Sequence, residues 1–139
     1  MKFSIIINTH NQSKYINECI ESCRKQNFFN YEIIVIDTSK TPSIQNRKFK
    51  KVKYYHIKEK YKKYPVLNQM YQINYGFKKS KGNFLCFLDG DDKFSKDKLQ
   101  KLDSLIKNKK INLIQDIPTI FSRSFKKKAS KKKYKSNYF

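Results

Sequence analysis

The chain has 139 residues, which is enough for one ordinary domain and too few for two. Hydrophobic residues make up 38% and aromatic residues 15%, so a core can form and wholesale disorder is not expected. With three glycines and three cysteines, the chain is neither a collagen nor a disulfide scaffold. The net charge of +21 attracts phosphate groups of any kind, but it does not choose among nucleic acid, anionic lipid and nucleotide.

No apolar run approaches the roughly 20 residues of a membrane span, and the first apolar run is too short for a signal peptide. We therefore expect a cytoplasmic protein whose cysteines are free thiols.

Strand-like and helix-like segments alternate along the chain. Short apolar runs predict strands at residues 3–8, 32–37, 52–57, 83–88 and 111–114. The segments between them predict helices at residues 14–26, 64–80 and 95–109. This alternation is typical of an α/β fold with a doubly wound, mostly parallel sheet.

Individual residues predict where the helices begin and end. Ser13 and Ser95 are suited to cap the first and third helices, and Pro65 to stand in the first turn of the second. The second helix carries four large apolar residues, Leu67, Met70, Tyr71 and Phe77. Gly82 is expected to stop this helix, whereas Gly76 inside it indicates a packing or ligand requirement.

The last nineteen residues differ from the rest. Residues 121–139 contain eight positive charges and no acid, which predicts a disordered basic tail after a folded domain of residues 1–120. The tail is either a solvated end without function or a tether to an anionic membrane surface.

Polar residues follow three of the predicted strands, at residues 8–11, 37–39 and 89–92. Ligands of open α/β sheets bind beyond the carboxyl ends of the strands. The fold would therefore bring these three segments to one edge and form a binding site there.

The sharpest of the three segments is acidic. Asp89, Asp91 and Asp92 repel one another unless a cation or solvent screens them, and carboxylates suit Mg²⁺ or Mn²⁺. Gly90 would permit the tight turn that aims the flanking acids at one ion. The alternative is an exposed acidic turn before a helix.

Several common sites are not indicated. Neither a Gly-rich dinucleotide turn nor a P-loop is present. Cys19 and Cys23 lie four residues apart without matching histidine ligands, so they are expected to be core thiols. His10 could act as a base, or it could simply pack near the site.

These segments together resemble family 2 glycosyltransferases of the GT-A, Rossmann-like fold, over roughly residues 3–116. The resemblance lies in residues 4–11, 32–37, 74–76, 80–82 and 87–92, which is the order of the family's motifs. It implies transfer of a sugar from a nucleotide-diphosphate sugar, most often a UDP-sugar, to an acceptor that the sequence does not name.

The resemblance also implies roles for individual residues. Thr9, Asn11, Asp37 and Asp89 would bind the nucleotide sugar. A DxD pair, Asp89 and Asp91, would bind Mn²⁺ or Mg²⁺, with Asp92 beside it.

The family's catalytic base and acceptor-binding half lie beyond the DxD segment, and we find no candidate base after Asp116. The chain therefore resembles a donor-binding half. We expect it in the cytoplasm, either free or at the inner face of the membrane. A second chain could supply the acceptor half; otherwise the chain is a fragment or an inactive homologue.

The sequence favours two other functions less. A phosphotransferase with a D-x-D pair normally has Thr or Val two residues after the second Asp, and here that residue is Lys93. A basic phosphate-binding module for nucleic acid or anionic membrane, without catalysis, gives the acidic turn no role. We expect no specific nucleic-acid partner, because the acids would repel one.

Overall fold

The computed structural model describes residues 3–44, residue 49, residues 51–109 and residues 113–115. In chain order the elements are β1 (Phe3–Thr9), α1 (Ile16–Arg24), β2 (Tyr31–Asp37), β3 (Val52–His56), α2 (Pro65–Lys79), β4 (Phe84–Asp89) and α3 (Lys98–Lys109). The four strands form one parallel sheet in the order β3-β2-β1-β4. The α/β, doubly wound, mostly parallel fold predicted from the sequence is confirmed.

The centre of the sheet consists of β1 and β2, whose runs of isoleucine are buried on both faces. Because side chains alternate along a strand, Ile5 and Ile7 face one side and Ile6 faces the other. The side of Ile5 and Ile7 packs against α1 and α3 in the main core cluster. On the opposite side Ile6 lies against α2, at Gly76.

Two helices begin later than predicted. A turn precedes α1, in which the carbonyl of Gln12 accepts the backbone N–H groups of Tyr15 and Ile16, so the N-cap is Tyr15 and the expected Ser13 cap is not formed. Similarly, α3 begins at Lys98, where the backbone N–H bonds to the carbonyl of Ser95. The second helix was placed correctly, with Pro65 in its first turn.

The predicted strand at residues 111–114 is wrong at residues 113 and 114, which belong to neither a strand nor a helix; Leu113 is 88% exposed. Residues 111–112, 116–120 and the basic tail at 121–139 lie outside the described residues. The predicted boundary between a domain and a tail therefore stays a prediction.

The glycines are required for close packing. A Cβ on Gly76 would lie 2.5 Å from Ile6 Cγ2, which confirms a packing requirement inside α2. On Gly82 it would lie 2.5 Å from the backbone nitrogen of Ser4. Because α2 ends at Lys79 with Ser80 as its C-cap, the expectation that Gly82 stops the helix is corrected.

The orientation of α2 is unusual. Its buried residues are Asn68, Gln72 and Gly76, so a polar stripe faces the sheet. Met70 and Phe77 point to solvent and are 60% and 57% exposed. The acceptor oxygens at the strand ends take hydrogen bonds from the amides of this stripe, and therefore the polar side of α2 faces the sheet.

The three cysteines are free and buried, as predicted for core thiols. Within the described ranges, no helix is both long and apolar enough to cross a bilayer.

Candidate functional site

The structure brings the three polar strand ends together at one edge of the sheet. In the strand register, Asn8 pairs with Asp89 on one side, and Thr9 pairs with Asp37 on the other. The loops after β1 and β2 are joined by the backbone N–H of Asn11, which donates to Ser39 Oγ at 2.7 Å. We call this edge, with its loops 9–12, 37–43 and 89–92, the donor edge.

The carboxylate of Asp89 is held in place by two amides. Asn8 Nδ2 and Gln69 Nε2 donate to the same oxygen, Oδ1, at 2.8 and 2.9 Å. No hydrogen bond to Oδ2 is formed within the described part of the chain, which leaves that oxygen available to a ligand. Two donors on one oxygen fix the direction in which the second oxygen points.

The other two acids of the turn are exposed, and Asp92 lies close enough to both Asp89 and Asp91 for their charges to act on it. The backbone N–H of Asp92 donates to the carbonyl of Asp89 at 2.9 Å. Partial burial, together with the charges of Asp91 and Asp89, raises the pKa of Asp92 above its ordinary value. Negative charge is therefore concentrated at the end of β4, in a chain whose net charge is +21.

This donor set suits a cation that binds together with a phosphate ligand. Among the described residues, no three His, Cys, Asp or Glu side chains form a group that could hold a metal ion. Mg²⁺ in nucleotide sites is usually held by one or two carboxylates plus substrate phosphates, not by an all-protein cage. The Oδ2 atom of Asp89, which has no hydrogen bond from the described residues, and the acids beside it fit that arrangement.

The structure corrects the reason for Gly90. Neither it nor any other glycine in the described residues has a positive φ, so the turn does not need its conformational freedom. A Cβ at this position would lie 2.6 Å from Gln12 Oε1 and 2.7 Å from Thr9 Oγ1. Gly90 is required because the end of β4 lies directly against the loop that follows β1.

The side chain of Asp37 is fully buried and bonded within the protein. Its carboxylate accepts the backbone N–H groups of Ser39 and Ser43 at 2.8 and 2.6 Å, and the hydroxyl of Tyr54. Burial acts to raise the pKa of Asp37, but hydrogen bonds from Ser39, Tyr54 and Ser43 outweigh it and lower the pKa. Asp37 shapes the loop after β2; its direct contact with a nucleoside stays a prediction.

Asn11 and His10 form the exposed rim of the donor edge. Asn11 has a φ of 56°, a left-handed conformation that asparagine tolerates better than most residues. His10 Nδ1 lies 3.0 Å from the carbonyl of Thr38, and His10 Nε2 lies 3.8 Å from Glu59 Oε1. The imidazole is thus anchored to the loop after β2, with an acid beside it.

The hydrogen bonds from α2 to the strand ends were not predicted from the sequence. Gln72 Nε2 donates to the carbonyls of Thr9 and Ile36 at 2.7 and 3.1 Å, which joins the ends of β1 and β2. Asn68 Nδ2 donates to Thr38 Oγ1 at 2.9 Å. Because Gln69 also donates to Asp89, α2 bonds to the ends of β1, β2 and β4. The available signal was the spacing of 68, 72 and 76, which are four residues apart and share one side of a helix.

Comparison with known proteins agrees with this architecture. Residues 4–139 match the family described as "Glycosyl transferase family 2". The chain belongs to this family. The Rossmann-like GT-A architecture suggested by the sequence is confirmed by the crystal structure of Staphylococcus aureus TarS 1–349 in complex with UDP-GlcNAc, which superimposes with a TM-score of 0.61. That match has 26% identity and covers 77% of this chain and 31% of that chain.

Sequence relatives carry the same family name. An uncharacterized glycosyltransferase of Rickettsia felis is 34% identical over 104 residues, 71% of this chain and 16% of that protein. The amylovoran biosynthesis glycosyltransferase AmsB of Erwinia amylovora is 26% identical over 134 residues, 84% of this chain and 43% of that protein. The chain thus spans less than half the length of these relatives. The phosphate-binding module without catalysis is not favoured by these similarities.

Proposed function

We propose that this glycosyltransferase-family chain binds a UDP-sugar at the donor edge and takes part in glycosyl transfer from it. The observation that carries the proposal is the Asp89 carboxylate, in which Asn8 and Gln69 bond to one oxygen and no other described residue bonds to the second. The superimposed TarS structures, solved in complex with UDP-GlcNAc and with UDP, support this class of donor.

The nucleoside would lie over the loops after β1 and β2. Thr9 is buried there, while Asn11 and His10 form the accessible rim. Asp37 acts on this part of the donor edge through the loop that it holds, because its carboxylate accepts the backbone N–H groups of Ser39 and Ser43. We propose that Thr9, Asn11 and Asp37 form the nucleoside side of the site in this way.

The diphosphate would lie at the end of β4. We propose that Asp89 and Asp91 hold Mn²⁺ or Mg²⁺ there, with Asp92 beside them. When bound, the ion would counter the charge that develops on the nucleoside-diphosphate leaving group. Asn8 and Gln69 keep the Asp89 carboxylate oriented, and loop 89–92 of the donor edge keeps its acids near the phosphates.

The acceptor is not assigned. The names of two relatives refer to different polymers: one is an amylovoran biosynthesis glycosyltransferase, and the other a poly(ribitol-phosphate) N-acetylglucosaminyltransferase. Because the chain spans only part of these relatives, we propose that acceptor binding uses polypeptide beyond the described residues, and a second chain is one source of it.

Calorimetric titration with UDP, in the presence and absence of Mn²⁺, tests the donor and the metal together. Wild type should bind UDP more tightly with Mn²⁺. Asp91→Asn should lose that gain and keep its fold, because the change removes like-charge repulsion from the turn.

The matched control is Asp103→Asn, which makes the same chemical change on α3, where Asp103 pairs with Lys107. It should bind UDP with Mn²⁺ as wild type does. Equal Mn²⁺ dependence in wild type and Asp91→Asn would refute the metal assignment. Absence of any UDP binding in wild type would refute the donor assignment.

A further inference from the structure

The side of α2 that faces away from the sheet is apolar. Val66, Met70 and Phe77 are 68%, 60% and 57% exposed, and they follow one another at spacings of four and seven residues. Such spacing places them in one stripe along a helix about 22 Å long. The stripe is exposed because the opposite side of α2 is committed to the strand ends.

The stripe continues onto β4, the strand at the edge of the sheet within the described residues. A groove of about 430 Å³ lies between the two elements, with walls that include Phe77, Leu85 and Phe87. Phe87 is itself 51% exposed. We call this surface, formed by the stripe and the groove, the outer face of α2.

Every charged residue in the segment that forms the outer face is a lysine, and the nearest acids in the sequence, Glu59 and Asp89, lie just outside its two ends. Residues 60–88 contain six lysines and no aspartate or glutamate. All six lysines are exposed, and they flank the stripe in two groups, at residues 60–63 before α2 and at residues 78–81 at its end. Lysines beside an apolar surface can lay their methylene chains on it and keep their charged ends at the level of lipid phosphates, which suits an anionic membrane interface.

We propose that the outer face of α2 binds an anionic lipid bilayer. The helix lies parallel to the surface, with Met70, Phe77 and Phe87 among the upper acyl chains. The flanking lysines lie at the level of the phosphates, where an anionic leaflet attracts them. The donor edge then opens beside the headgroups.

Charge favours a bilayer over a second copy of this chain as the occupant. Two copies that met through their outer faces would bring twelve lysines together, six from each, with no acid in the same segments to balance them. An anionic surface removes this repulsion, while a neutral one does not. The binding needs no nucleotide, so its success or failure is separate from that of the donor proposal.

Co-sedimentation of the full chain with vesicles measures the binding. Wild type should bind vesicles of phosphatidylcholine with phosphatidylglycerol, should bind phosphatidylcholine alone much more weakly, and should lose affinity as salt is raised. The double variant Met70→Ser, Phe77→Ser keeps every charge, including those of residues 121–139. It should lower the partition coefficient at least about tenfold, since two large apolar side chains no longer enter the lipid.

The matched control is Phe29→Ser, which removes a 90% exposed phenylalanine from the loop between α1 and β2. It should bind as wild type does, and all three proteins should share one circular dichroism spectrum. Equal binding by the double variant and wild type, or no binding to anionic vesicles at low salt, overturns the proposal. Self-association in light scattering that the double variant abolishes, without vesicle binding, would identify a second copy as the occupant instead.

Discussion

The contact that most directly tests the orientation of α2 is that of Gln72. Its side chain is 2% exposed, and its amide donates to the carbonyls of Thr9 and Ile36. Gln72→Leu replaces the amide with methyl groups and so removes both bonds. A typical buried hydrogen bond contributes about 0.5–1.5 kcal/mol net, so the loss of two should cost about 1–3 kcal/mol.

Urea unfolding followed by circular dichroism measures this loss, and the Tm should fall by about 3–5 °C for each kcal/mol, since the unfolding entropy is about 2.1 cal/mol/K per residue. Gln100→Leu, on the exposed side of α3, is the matched control and should stay within about 0.5 kcal/mol of wild type. If Gln72→Leu were as stable as wild type, the polar side of α2 would not bond to the strand ends, and the account of both faces of this helix would be wrong.

Three further predictions concern acid stability, Gly90 and turnover. Burial opposes ionisation of Glu32, but hydrogen bonds from Lys53, Ser4 and the backbone of Lys81 lower its pKa from 4.5 to about 2. Wild type should therefore lose stability as the pH falls from about 4.5 toward 2, and Glu32→Gln should show a flatter pH profile in thermal melts. Gly90→Ala should cost about 1–3 kcal/mol in urea unfolding and weaken UDP binding, because the new methyl group collides with the loop after β1; unchanged affinity would contradict this. The purified chain should show at most slow hydrolysis of a radiolabelled UDP-sugar, since a positioned base typically contributes ~10²–10⁴ in rate; brisk transfer to an added acceptor would show that the base lies within it.

The two central strands were predictable because burial on both faces leaves a simple pattern. The runs at 3–8 and 32–37 are apolar almost throughout, as expected of central parallel strands. The run at 83–88 is equally apolar, although β4 lies at the edge of the sheet within the described residues and Phe87 is 51% exposed. The polar ends of the three strands could be assigned to one edge of the sheet because parallel strands bring their carboxyl ends together. The meeting of Asn8 with Asp89 follows from that rule and from the register.

The orientation of α2 could not be predicted from its apolar residues. An amphipathic pattern states that a helix has two sides, but not which one faces the protein. Here the carbonyl of Ile36 and the carboxylate of Asp89 lie under the helix, and amides satisfy them while methyl groups would not. The helix starts were missed for a similar reason, since Ser13 has the chemistry of a cap but lies in a turn that ends before α1.

The two sides of α2 give separable predictions. Gln72 and its neighbours on the inner side hold the strand ends, so changing them should lower stability and donor affinity together. Met70 and Phe77 on the outer side have no such partners among the described residues, and serine at these positions should leave both quantities unchanged while vesicle binding falls. If the outer substitutions instead lowered stability as much as Gln72→Leu, the stripe would be part of the folded core, and a polypeptide would have to cover it. Melting curves of the two sets of variants, measured without vesicles, therefore decide whether this chain itself covers the stripe before any lipid is added.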